Sequence, residues 1–187
     1  MTLRVISGSA KGRRLKSVPG DTTRPVTDRV KEALFNILAG DVVDSTWWDL
    51  FGGTGAIGIE ALSRGAAFVR FTDLHRGPIE TIKSNLDATK LGARAETRRQ
   101  DAFAGLRRDP DRPFDYIYIA PPQYQELWSR ALGELDGNPG WLAPDGWAIV
   151  QIDPKEALPL ALQTLEEFDR RKYGSTLLIF FRSRQGG

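Results

Sequence analysis

The chain has 187 residues and a mass of 20.8 kDa, with 41% hydrophobic and 27% charged residues, which suits one ordinary folded domain and excludes wholesale disorder. It contains no cysteine and a single histidine, His75, so disulfides, thiolate catalysis, cysteine-held metal clusters and multi-histidine metal sites are all excluded. The net charge of +2 conceals a strong polarity: residues 1–31 carry eight basic against two acidic side chains, a net +6, and the remainder carries −4. No run approaches the roughly 18 apolar residues of a membrane span, and residues 1–14 lack the apolar core of a secretory signal. A cytoplasmic protein that needs neither membrane nor metal is expected.

The basic start is the first element. Arg4, Lys11, Arg13, Arg14, Lys16 and Arg29 are candidates for phosphate contacts, because each cation reaching a phosphate displaces condensed counterions. The run is broken by Gly8, Gly12, Pro19 and Gly20 and by the β-formers Val5 and Ile6. That mixture reads as a structured hairpin or loop, with a plain solvated tail as the alternative. Residues 1–26 are accordingly assigned to a basic arm and residues 27–187 to the main domain.

Thr27 is placed to cap a helix whose Val30, Leu34, Ile37 and Leu38 share one face, ending near Gly40. Thr46 to Phe51 reads as a short strand, and the glycine-rich turn 52–58 leads into a helix that stops at Gly65. A second strand over 67–72, a helix over 78–89 and a third strand over 95–99 follow. The run 116–120 is apolar throughout, as expected of a parallel strand covered on both faces. A helix over 127–135, a strand over 147–152, a helix over 159–171 and a last strand over 175–181 complete the pattern. Strands alternating with helices at this spacing predict an α/β fold with a mostly parallel sheet between helical layers.

The turn after the first strand has two readings. Gly53-Thr54-Gly55-Ala56-Ile57-Gly58 satisfies G-x-G-x-x-G, and Asp73 lies where a ribose-binding acid belongs, so a nicotinamide coenzyme fits the pattern. Asp49, at the end of the strand, argues otherwise: a carboxylate there repels a pyrophosphate and suits a cation. S-adenosylmethionine is such a ligand, with a sulfonium and an ammonium and no phosphate. Gly53 and Gly55 let the backbone turn tightly and approach a ligand closely. Asp73 has two oxygens for two ribose hydroxyls, or else caps a helix. Asp101 and Phe103 are candidates for the adenine, with a helix cap and a core aromatic as the alternative.

Beyond the apolar 116–120 strand stands Ala120-Pro121-Pro122-Gln123-Tyr124. Ligands of open α/β sheets bind past the carboxyl ends of the strands, so this loop and the glycine turn are expected to face one crevice. Two prolines stiffen the backbone and leave carbonyls without local donors, and Tyr124 offers a face for stacking a base. The loop resembles the (D/N)-P-P-(Y/F) motif of amino-methylating enzymes, with Ala120 at its first position and Gln123 displacing the aromatic by one. A rigid turn with a core tyrosine is the alternative.

The longer blocks are more specific. Arg4-Val5-Ile6-Ser7-Gly8 with Lys11-Gly12-Arg13, the run from Thr23 to Asn36, and the run from Asp49 to Ala66 together resemble the RsmD-type methyltransferases of bacteria. The resemblance extends from Arg4 to Phe181. It implies the class I S-adenosylmethionine-dependent, Rossmann-like fold, with a seven-stranded sheet and one late antiparallel strand, into which 175–181 fits. It places Asp49, Gly53 and Gly55 along the methionine part of S-adenosylmethionine, Asp73 at the ribose and Asp101 at the adenine. Thr23 and Arg24 would close over the cofactor. Ala120, Pro121, Pro122, Gln123 and Tyr124 would form the catalytic loop. The family's Asp or Asn is Ala120 here, and its usual Glu is Asp73. The implied reaction is methylation of a guanine N2 amine in small-subunit ribosomal RNA, presented within a particle to a monomeric enzyme. Two further readings remain: a catalytically impaired cofactor-binding assembly protein, and a DNA amino-methyltransferase, which the chain's length disfavours.

Overall fold

The computed structural model describes residues 2–21 and 25–185. Its chain forms two compact units, residues 1–100 and 101–187, and its seven strands belong to a mixed α/β sheet. No helix among the described residues is long and apolar enough to cross a membrane.

The first unit opens with a hairpin rather than a tail. Val5 N donates to Arg13 O at 2.9 Å, Leu15 N to Leu3 O at 2.8 Å, and Arg4 bridges antiparallel to Arg14. Leu3, Val5, Ala10 and Leu15 are buried, whereas Lys11, Arg13, Arg14 and Lys16 face solvent. Helix α1 (Asp28–Leu38) begins where the sequence places it, with the Thr27 hydroxyl accepting from Val30 N. Strand β1 (Thr46–Asp49), helix α2 (Ala56–Ser63), β2 (Phe68–Asp73), α3 (Arg76–Thr89) and β3 (Ala95–Arg99) follow. The three strands are parallel, in the order β3-β2-β1, the arrangement that right-handed crossovers through α2 and α3 produce.

A buried carboxylate docks the hairpin onto α2. Glu60 accepts from Ile6 N and Ser7 N, both at 3.0 Å, from Lys31 Nζ at 3.3 Å and from Arg64 Nε at 2.9 Å. Glu60 and Lys31 are both fully buried, and the lysine also donates to Arg4 O. A buried charge is tolerable only when so partnered, and removing one partner of such a pair is what destabilises. Ser63 completes the docking, its hydroxyl accepting from Ala10 N and donating to Ser7 O while its carbonyl accepts from Ser9 N.

The second unit contains α4 (Ala102–Leu106), β4 (Phe114–Ile119), α5 (Leu127–Gly137), β5 (Leu142–Ile152), β6 (Leu165–Tyr173) and β7 (Thr176–Ser183). Strand order is β4-β5-β7-β6, with β4 and β5 parallel and β7 antiparallel to both its neighbours. One expectation fails here. Residues 159–171, read as a helix, are irregular up to Thr164 and then form the edge strand β6. Pairing with β7 decides it: Phe168 packs on Phe180 and Trp147, and Arg182 bridges to Glu166. Asp136 fixes the strand's start by accepting from Gln163 N, Thr164 N and Leu165 N at 2.8–2.9 Å. Partial burial pushes the Asp136 carboxyl up, but these donors outweigh it and hold it below its ordinary value.

Candidate active site

In the first unit, four residues converge past the carboxyl ends of β1 and β2. Asp49 closes β1 behind the buried indoles of Trp47 and Trp48, and is itself only 2% exposed. The chain then turns: Gly52 N donates to Thr72 O at 2.7 Å and Gly55 N to Gly52 O at 2.8 Å, and α2 starts at Ala56. Burial pushes the Asp49 carboxyl from 3.8 up to about 8. The Gly58 N–H, in the first turn of α2, opposes that rise, and the charge of Asp73 adds to it. A neutral carboxyl at neutral pH, enclosed and beside a second acid, is a group that ionises when a cation arrives.

Asp73 ends β2 and serves the turn directly. Its Oδ2 accepts from Gly53 N and its Oδ1 from His75 N, both at 3.0 Å. Asp73 does not cap α3, whose N-cap is His75, and each of its oxygens keeps a lone pair, so bracing the turn and binding a ribose are compatible. The two glycines differ. Gly53 has φ +57°, and a Cβ built on it meets nothing within 4 Å, so it borders open space. Gly55 has φ +80° and abuts Ile82, Ile59 and Phe71, so it permits packing between turn and core rather than approach to a ligand. Thr23 and Arg24 lie outside the described residues.

In the second unit, Asp101 is the N-cap of α4, accepting from Ala104 N at 3.0 Å. Phe103 is buried, with the Arg130 guanidinium 3.8 Å above its ring. Both therefore have the structural roles weighed as alternatives, and one Phe103 face is covered. Trp128 is buried in α5 and lines a cavity of about 380 Å³ with Leu158, Leu165 and Ile179.

The diproline loop leaves the end of β4. Ala120 and Pro121 are half-buried, whereas Pro122, Gln123 and Tyr124 are exposed. Tyr124 is 65% exposed at φ +62°, so it is not a core tyrosine. Two acids from the segment after β5 hold it: Tyr124 N donates to Glu156 Oε1 at 2.7 Å and Tyr124 Oη to Asp153 Oδ2 at 2.9 Å. These acids are braced by a capping box, with Lys155 N on Asp153 and Asp153 N on Glu156. The bond to Asp153 raises the Tyr124 phenol above its ordinary value. The Lys155 N–H, followed by the Tyr124 hydroxyl, lowers the Asp153 carboxyl. The ring is thus presented to solvent and held at both backbone and hydroxyl.

Of the basic candidates, Lys11, Arg13, Arg14, Lys16 and Arg29 are exposed, and Arg4 is tied to Asp28 at 3.0 Å. No metal-binding cluster of acids and histidine is found among the described residues. Glu60, Ser63, Asn85, Asp153 and Glu156 were not anticipated. Glu60 had a visible signal, an acid between the apolar runs Ala56-Ile57-Gly58-Ile59 and Ala61-Leu62, as did Asn85 on the apolar face of its helix between Ile82 and Leu86.

The glycine turn, the strand-end acids and the parallel α/β order define a methyltransferase of the class I S-adenosylmethionine-dependent fold. A solved structure of an Escherichia coli candidate methyltransferase, yhhF, superposes with a TM-score of 0.85, 31% identity and 98% coverage of both chains. The family model described as "Conserved hypothetical protein 95" matches residues 3–182, and the chain belongs to this RsmD-type family. The Haemophilus influenzae ribosomal RNA small subunit methyltransferase D is 33% identical over 98% of this chain and 93% of its own. The Bacillus subtilis candidate rRNA methyltransferase YlbH is 39% identical over 97% of this chain and all of its own.

Proposed function

We propose that this chain transfers a methyl group from S-adenosylmethionine to the exocyclic N2 amine of a guanine in small-subunit (16S) ribosomal RNA. The observation that carries the reading is the loop Ala120–Tyr124, which combines a stiff diproline backbone with an exposed, clamped aromatic. The relatives named above as ribosomal RNA methyltransferases support the substrate class.

The residues fit the cofactor. Asp49 supplies a buried carboxyl for a cationic ligand, Gly53 borders open space, and Asp73 retains acceptor capacity on both oxygens. When bound, S-adenosylmethionine supplies an electrophilic methyl on a sulfonium. Tyr124 stacks the guanine, and the carbonyls of Ala120 and Pro121 accept from the N2 hydrogens. Accepting those hydrogens returns the nitrogen lone pair from the ring to the amine. The freed amine would then take the methyl that the sulfonium supplies, with the thioether as leaving group, and the amine proton would leave to solvent. N2 is occupied in a G·C pair, so the base must be unpaired or extruded first. Residues 1–26 act as the arm that holds the phosphate backbone without reading sequence. Asp101 and Phe103 contribute at the adenine through whatever surface their structural bonds leave.

Ala120 favours one second reading. It has no polar side chain where amino-methylating enzymes carry an acid or amide, as a binding protein that has lost catalysis would. Incubation with methyl-labelled S-adenosylmethionine and small-subunit particles, followed by nucleoside analysis, is expected to give N2-methylguanosine. Label on another atom overturns the assignment, and tight binding without transfer selects the binding protein. Ala120→Asp sharpens the comparison: little change means the main-chain carbonyls suffice, and a large gain means the natural loop is impaired.

The Tyr124 clamp gives a separate expectation. Tyr124→Phe removes one hydrogen bond worth about 1 kcal/mol, so the KM for RNA should rise roughly fivefold. Cofactor affinity, measured calorimetrically on the same variant, should stay as it is. An unchanged KM would mean that the hydroxyl's bond to Asp153 does not position the ring for the base.

A further inference from the structure

Asn85 sits in α3 and is 1% exposed, and its carboxamide joins two segments of the first unit. Its Oδ1 accepts from Lys16 N at 2.8 Å. Its Nδ2 donates to Lys16 O at 3.1 Å and to Thr54 O at 2.9 Å. Lys16 directly follows the basic hairpin, and its side chain is exposed beside those of Arg13 and Arg14. Thr54 is the residue between Gly53 and Gly55 in the turn that borders open space.

One side chain therefore satisfies both backbone groups of a residue at the polyanion-binding face and one carbonyl of the cofactor turn. The bonds use both N–H groups as donors and the oxygen as an acceptor. No aspartate reproduces the set, because an ionised carboxylate cannot donate to either carbonyl. The orientation of the Thr54 carbonyl fixes the peptide that carries the Gly55 N–H, which closes the turn onto Gly52 O at 2.8 Å.

We infer that Asn85 is a positioning residue that links the basic hairpin to the glycine turn, so that a phosphodiester backbone held on the hairpin tightens cofactor binding at the turn. The inference rests on the methyltransferase reading above and adds a coupling to it. RNA that orders Lys16 also orders the carboxamide, and the carboxamide holds the turn in its ligand-ready form. The linkage is reciprocal: the cofactor tightens RNA by the same factor. Asn85 touches neither ligand and acts only through Lys16 and Thr54.

The test is equilibrium dialysis of labelled S-adenosylhomocysteine against the full chain, with and without a saturating single-stranded 16S RNA fragment at low salt. RNA is expected to lower the wild-type Kd about fivefold or more, within the usual range of coupling between sites. In Asn85→Ala and Asn85→Asp that factor should fall toward one, whatever the absolute affinities become. A merely structural role would lower affinity without changing the ratio, so a ratio preserved in the variants overturns the inference. So does a ratio of one in the wild type when both ligands demonstrably bind and methyl transfer proceeds. If neither ligand binds the wild type, the methyltransferase reading falls as well. A measurement on wild-type protein alone serves should the variants misfold: RNA without cofactor should slow hydrogen exchange at the Gly55 and Ala56 amides. Unchanged exchange there, with RNA bound, overturns the inference equally.

Discussion

Cofactor binding at pH 6.5 is expected to release close to one proton, and Asp49 is its source. The α-amino group of the ligand is already protonated at that pH. The Asp49 carboxyl, held up to about 8 chiefly by burial, is neutral in the free protein. A cation placed against it favours the ionised form, so its proton leaves on binding. Apparent affinity should therefore fall about tenfold for each pH unit between roughly 7 and 5.5. Calorimetry in two buffers of different ionisation heat reads the proton directly, and equal heats would remove Asp49 from the cofactor site.

The same group gives stability the opposite sign. Its folded pKa lies above the unfolded value of 3.8. Its contribution is thus fully present below about 4, and is lost as pH rises through about 8. Asp49→Asn should consequently stabilise the ligand-free protein at pH 7, by up to about 4 kcal/mol, while abolishing proton release and weakening the cofactor at least tenfold. A variant that melts later and binds worse is the signature of an acid retained for its ligand. A melting temperature that falls would mean that the hydrogen bond from the Gly58 N–H matters more than the cost of enclosing the carboxyl.

Gly8→Ala is expected to undock the basic hairpin. Gly8 has φ +86°, and a Cβ there would lie 1.8 Å from the Ser63 carbonyl oxygen, a backbone atom at the end of α2. The left-handed conformation costs a substituted residue about 1–2 kcal/mol and the overlap about 1–3 more. Together these exceed what one hydrogen bond of the docking set contributes. A loss of about 2–5 kcal/mol should lower Tm by roughly 5–15 °C for a chain of this size. Phosphate-backbone affinity should fall about tenfold or more, since Lys11, Arg13, Arg14 and Lys16 then lose their fixed spacing. Filter binding with the RNA fragment reads the second effect. Unchanged affinity would show that the arm binds as a loose cationic chain.

The sequence carried most of the first unit because its signals are local. Thr27 announces its helix, Asp49 and the glycines announce the turn, and Ile79, Ile82 and Leu86 announce the buried face of α3. It misjudged 159–171 because strand β6 exists through pairing with β7, which residues within the segment do not announce. The seventh strand of the expected fold was thus present in residues read as a helix. Tyr124 was recognisable as an aromatic beside two prolines, but not as a residue held by Asp153 and Glu156 about thirty positions away.

By itself, then, the order of residues determined the alternation of strands and helices, the family, the cationic preference of the cofactor turn and the polarity of charge along the chain. These depend on neighbours within a few positions, where spacing and side-chain type suffice. Only the tertiary structure decided that the basic start is a docked hairpin held by Glu60 and Ser63, and that Asn85 ties it to the glycine turn. The raised Asp49 carboxyl, on which the expected proton release rests, became visible in the same way. Each of these depends on burial and on partners distant in sequence, because a hydrogen bond or a lost hydration shell is a property of the assembled surroundings and not of the residue.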